Sequence, residues 1–133
     1  MNKLQTLFFG ILLTASATTQ ALAEDLYVIA NPNTSVTISD IREIFLGEKQ
    51  FAGSVKIVPV DNAAAQADFL GKVMKMDAAK YSTSWTKKSF RDGLSPPAVK
   101  SGDAAVLNYV KSTPGAIGYV ISQPGNVTVI QKY

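Results

Sequence analysis

The sequence contains no cysteine and no histidine. Without cysteine there are no disulfides, no thiol nucleophile and no thiolate ligand for zinc or an iron–sulfur cluster. Without imidazole no Ser-His-Asp or Cys-His device can be assembled, and the commonest metal ligand is missing. The acid–base groups left are carboxylates, lysines and tyrosines. Charge of either sign is also sparse: 13 Lys and Arg face 10 Asp and Glu. These charges are scattered, and Lys87-Lys88 is the only adjacent basic pair. A nucleic-acid surface needs clustered cations interleaved with aromatics, so nucleic acid is not expected as a partner. No apolar run reaches the ~20 residues of a membrane-spanning helix.

What is present begins with a targeting signal. Residues 1–23 read as a signal peptide. Lys3 supplies a positive start, Leu7 to Leu13 an apolar centre, and Ala21-Leu22-Ala23 a small-x-small cleavage site. The absence of cysteine after that site excludes lipid attachment. Cleavage removes Lys3 and leaves residues 24–133, a length that suits one domain in the periplasm.

Along that stretch, residues 26–30 read as a buried strand broken by Asn31-Pro32-Asn33. Thr37 or Ser39 caps a helix bearing Ile41, Ile44 and Phe45 on one face, and Gly47 is placed to end it. Residues 55–60 form a second strand, with Pro59 at an edge or strand end. Asp61-Asn62 then caps a helix carrying Ala63, Ala67, Leu70 and Met74. Asp77 caps a third helix with Tyr81 and Trp85 one turn apart. A Gly93-to-Pro97 loop leads to a fourth helix starting at Ser101 or Asp103, with Val106, Tyr109 and Val110 on one face. Residues 117–121 and 127–131 read as strands joined through Gln123-Pro124-Gly125-Asn126, which predicts a hairpin. This order predicts an α/β domain with a mixed sheet of about four strands, about four helices, and a parallel first strand pair.

The junction at Asp61 is the best candidate for chemistry. Open α/β sheets bind ligands outside the carboxyl ends of strands. A helix starting there would offer the backbone N–H groups of Ala63, Ala64 and Ala65 to an anion. Asp61 and Asn62 would stand beside it, and Asp61 would accept a hydrogen bond from a protonated oxyanion such as monoprotonated phosphate. Asn31, Thr34 and Ser35, at the end of the first strand, would complete the site. The same residues also read as an ordinary helix cap and an ordinary polar turn. Trp85, Tyr81 and Phe90 read as core or as an aromatic platform, and Tyr119 as core. Asp40 and Glu43 share a solvated helix face, with no partner across a cleft for acid–base catalysis. No enzyme activity, metal or cofactor is expected.

The segment Asp40-Ile41-Arg42-Glu43-Ile44-Phe45-Leu46-Gly47 resembles the D-L-x-x-I-F-L-G helix of phosphate-type periplasmic substrate-binding proteins. Pro114-Gly115-Ala116-Ile117-Gly118-Tyr119-Val120 is similar to their P-G-A-I-G-Y-V segment. Phe69-Leu70, the Trp85 helix and the Gly93-to-Pro97 loop fall between them in the expected order. The resemblance implies the type II periplasmic-binding-protein fold, with a three-layer-like domain corresponding to the second lobe of the two-lobed members. It implies binding of phosphate or a related small oxyanion, in partnership with the membrane subunits of an ABC transporter. The other lobe would come from another protein or a homodimer. Counting back from Phe69 aligns Asp61 with the Asp of the family's R-x-D-x-S-G-T loop. Ala63, Ala64 and Ala65 then stand at its Ser, Gly and Thr, and Pro59 at its Arg. The alternative is a periplasmic adaptor that kept this fold, lost the ligand, and docks on a membrane or periplasmic protein.

Overall fold

A computed structural model describes residues 25–133, so the segment read as a signal peptide lies outside the described residues. Strand β1 is Tyr27–Ala30 and helix α1 is Asp40–Phe45. A two-stranded ribbon follows, β2 (Phe51–Ala52) with β3 (Val55–Lys56), and then β4 (Val58–Asn62). The short helix α2 (Gln66–Phe69) runs directly into a π-helical turn, Leu70–Met74. Helix α3 (Ala78–Asp92), β5 (Ala98–Lys100), α4 (Asp103–Ser112), β6 (Ala116–Val120) and β7 (Thr128–Lys132) complete the order.

The main sheet has the strand order β5-β4-β6-β1-β7. Strand β4 is parallel to β5 and β6, while β1 is antiparallel to β6 and β7. The sheet is mixed, as expected, but two pairings differ from the sequence reading. β1 is not beside β4, because β6 lies between them. β6 and β7 do not form a hairpin, because each pairs with an opposite edge of β1. The turn chemistry around Pro124 is genuine, but the connection it serves crosses over β1.

Alternation along the strands sends side chains to two cores. Ile29, Val60, Ala116 and Val120 pack with Val106 and Val110 of α4 on one face. Val28, Ile117 and Tyr119 face α1, α2 and α3, where Phe45, Phe69, Leu70, Met74, Tyr81 and Trp85 complete the larger core. The result is three layers: α4, the sheet, and the other helices. Gly118 allows α4 to approach closely, since a Cβ there would lie 2.8 Å from a Val106 methyl.

Two helix ends follow their sequence signals. The Asp77 carboxylate accepts from Lys80 N–H at 2.7 Å, capping α3. α1 ends in a Schellman motif: Gly47 has φ +74°, its N–H reaches Ile44 O at 3.0 Å, and Glu48 N–H reaches Glu43 O at 2.8 Å. Helix α2 departs from expectation. Asp61 and Asn62 belong to β4 rather than to a cap, and the helix starts only at Gln66. Ala63 and Ala67 are exposed, whereas Ala65, Phe69, Leu70 and Met74 are buried. Phe69 and Leu70, at the junction of the α-helical and π-helical turns, both point inward.

Candidate functional site

Asp61 is the fourth residue of β4 and only 2% exposed. Its Oδ2 accepts from the Tyr81 hydroxyl of α3 at 2.9 Å, and its Oδ1 from the Tyr119 hydroxyl of β6 at 2.8 Å. Burial pushes the carboxyl pKa up, opposed by hydrogen bonds from Tyr119, Tyr81 and Gln66. Both tyrosines are raised in turn, by burial first and then by the Asp61 charge. The Tyr119 ring is fixed from behind by stacking on Phe69, with centroids 3.9 Å apart.

Next along the strand, Asn62 is fully buried and spends its amide on the fold. Its Nδ2 donates to Asp103 Oδ1 at 2.8 Å and to Tyr119 O at 3.1 Å. Burial would raise Asp103, but the Ser122 N–H, the Asn62 amide and the Ile121 N–H together outweigh it and hold the carboxyl below its ordinary value.

The amides expected to be open are engaged within the chain. Ala63 N–H donates to Lys100 O at 2.9 Å, Ala64 N–H to Asn62 Oδ1 at 3.0 Å, and Ala65 N–H to Asn62 O at 3.0 Å. The physical reason is that β4 runs on through Asn62, so residues 63–65 form a closed turn rather than the open first turn of a helix. Ala65 is itself buried, at 3% exposure.

Asn31, Thr34 and Ser35 are also not where a site beside Asp61 needs them. Asn31 N–H bonds Ala116 O, and Ala116 pairs with Val58 at the amino end of β4. Since β1 runs antiparallel to β6, its carboxyl end lies at the opposite end of the sheet from Asp61. There Asn31 Nδ2 donates to Val110 O at 2.9 Å and Lys111 O at 3.2 Å, and Thr34 Oγ1 accepts from Gly115 N–H at 2.9 Å. Both hold the chain around the end of α4. Ser35 is exposed beside a shallow recess shared with Thr128.

Asp61 does line a concavity of about 770 Å³ between α3 and the β4–β5 side of the sheet. Gln66 and the hydroxyl residues Ser82, Thr86 and Ser89 line it too, and no Lys or Arg does. Trp85 supplies part of a wall. Phe90, 95% exposed, and Val99, 60% exposed, also line it and stand out into solvent. Sequence reasoning found Asp61 and grouped Tyr81, Trp85 and Phe90 as core or platform, but missed Gln66, Ser82, Thr86, Ser89 and Val99. The spacing of Ser82, Thr86 and Ser89, four then three, marks one face of α3 and was readable. The convergence of Tyr81 and Tyr119 on one carboxylate depends on strand order and was not.

This fold has solved counterparts. One is a proposed phosphate ABC transporter substrate-binding protein with bound phosphate from Clostridium perfringens, 15% identical, with a TM-score of 0.59 over 82% of this chain. Another is an ABC-type phosphate transport receptor from Vibrio cholerae, 18% identical, with a TM-score of 0.50 over 82% of this chain. The chain shares their fold. It spans about half their length, 46% and 47% respectively. No protein-family model matches the sequence, and no curated protein is significantly similar to it. At this identity the likeness establishes architecture, and the site has to be read from its own residues.

Proposed function

We propose that the protein is a periplasmic binding module for a small, proton-bearing oxyanion of the phosphate kind, exported by cleavage of residues 1–23. Asp61 is the acceptor at the bottom of the α3-side concavity. The observation that carries this reading is a buried carboxylate lining a hydroxyl-rich concavity toward the carboxyl end of a parallel strand, in a fold shared with phosphate receptors. The Asp61 carboxylate accepts the two tyrosine hydroxyls and the Gln66 side chain, which leaves one of its lone-pair directions for a ligand O–H. Ser82, Thr86, Ser89 and Gln66 supply additional hydrogen-bonding groups. With no cation in the lining, the concavity favours a ligand that donates a proton to Asp61 over a fully ionised one. Ala63, Ala64 and Ala65 are not in its lining, and Asn31, Thr34 and Ser35 take no part. The protein is not an enzyme. Its downstream partner is the membrane part of an ABC-type uptake system or another envelope protein, and a second chain covers the open side of the concavity.

Calorimetry with phosphate and sulfate tests the reading. Phosphate, which carries a proton near neutral pH, is expected to give saturable heat at millimolar concentration, and sulfate none. Asp61→Asn should weaken phosphate by at least about tenfold. No saturable heat by about 10 mM phosphate, or an Asp61→Asn variant equal to wild type, overturns it.

Two observations favour the adaptor as a second reading: all three alanine amides are occupied, and Phe90 is almost fully exposed beside Val99. It predicts the opposite outcome of the same titration, with neither anion bound.

A further inference from the structure

A second cavity, of about 500 Å³, lies at the other end of β4, where the strand begins. One side is formed by Gln50, Lys56 and Ile57, the other by the Gly93-to-Ala98 connection, and Trp85 and Ile44 form the base. The size falls within the range of small-molecule sites. Its lining is mainly apolar, and the only charged residues in it are Lys49 and Lys56. Lys49 is already neutralised by Asp40 at 3.1 Å. Lys56 is exposed, and among the described residues its ammonium has no ion-pair partner.

The base of this cavity is rigid. Trp85 Nε1 donates to Phe45 O at 3.0 Å. The far edge of its indole rests on Gly47, where a Cβ would come within 2.6 Å of Cη2. Held at two points and only 6% exposed, the ring presents a small, fixed apolar surface at little entropic cost.

We propose that this cavity binds a small organic monocarboxylate with an apolar ring. The ring packs against Trp85 and the prolines of the 93–98 connection, and the carboxylate is received by Lys56, with the Gln50 amide beside it. Charge complementarity selects this occupant: an apolar body satisfies Ile57, Leu94 and Pro97, and the unpaired cation at the rim takes a single negative charge. The site adjoins the Asp61 concavity, sharing Trp85, Pro96 and Pro97 with it, but Asp61 is not in its lining and it does not depend on phosphate recognition there.

The sequence has one tryptophan, so fluorescence excited at Trp85 reports directly on the base of the cavity. Titration of the full chain with phenylacetate is expected to give a saturable change, and phenylacetamide, its uncharged counterpart, about five-fold weaker binding. Lys56→Met, at an exposed position, should retain the wild-type circular dichroism spectrum. It should bring the acid down to the level of the amide without changing the amide. Because Trp85 also borders the Asp61 concavity, phosphate at about 10 mM is included as competitor and should not displace phenylacetate. The proposal is overturned by absence of saturation, by equal binding of acid and amide, by a Lys56→Met variant equal to wild type, or by displacement with phosphate.

Discussion

Asp61 combines two opposing influences, burial and two tyrosine donors, and burial wins. Its folded pKa lies above the unfolded carboxylate value of about 4. The native state therefore holds a proton that the unfolded chain releases. That contribution is complete below the unfolded value and is lost as pH climbs through the folded one. Asp61→Asn cannot ionise, and its amide can still accept from one tyrosine and donate to the other. The urea midpoints of wild type and variant are expected to lie close at about pH 4 and to separate toward about pH 8, with the variant the more stable. Midpoints that stay parallel across this range refute the assignment. Asp103 acts in the opposite sense: held below its ordinary value, it contributes stability that is lost as pH falls. Asp61 could be picked out from its place after an apolar strand, and Tyr119 and Tyr81 as core residues from their neighbours. That the two hydroxyls meet on the carboxylate requires β6 beside β4 and α3 above them, which no local spacing encodes.

At the scale of elements, legibility followed the strength of local chemistry. Gly47 after an apolar helical face and Asp77 before one gave the ends of α1 and α3, because caps are decided within a few residues. Strands β3 and β5 are two and three residues long, too short for any period to appear. The start of helix α2 was misread because β4 runs on through Asn62 and residues 63–65 close a turn, so the helix begins only at Gln66. The Gly47 cap also links two elements, since it is the surface on which Trp85 of α3 rests. Gly47→Ala forces a positive φ on an L residue and drives a methyl into the indole. A loss of about 2–3 kcal/mol is expected by denaturant titration, accompanied by a shift in tryptophan emission. A loss below about 0.5 kcal/mol would mean that α1 and α3 are not wedged together there.

For the whole molecule, the determining feature is that β1 has no sequence-adjacent partner. Tyr27 pairs with Val120 on one side and Lys132 on the other, and Leu26 and Tyr133 exchange backbone hydrogen bonds of 3.1 and 2.8 Å. The sequence could suggest strands at these places but not their order, because pairing across such separations is settled by burial on both faces rather than by turn residues. A chain stopped after Asn126 loses β7 and leaves one edge of β1 bare. It is expected to lose cooperative urea unfolding and to elute as aggregate; a soluble, cooperatively melting product would show β7 to be dispensable. The same pairing has a consequence for how the protein is made. In a chain emerging amino end first, from a ribosome or through a membrane pore, β1 appears long before β6 and β7, and neither of its edges can be paired in between. This part of the sheet cannot close until residues 116–132 are out, so the topology itself keeps the stretch between them threadable over that interval.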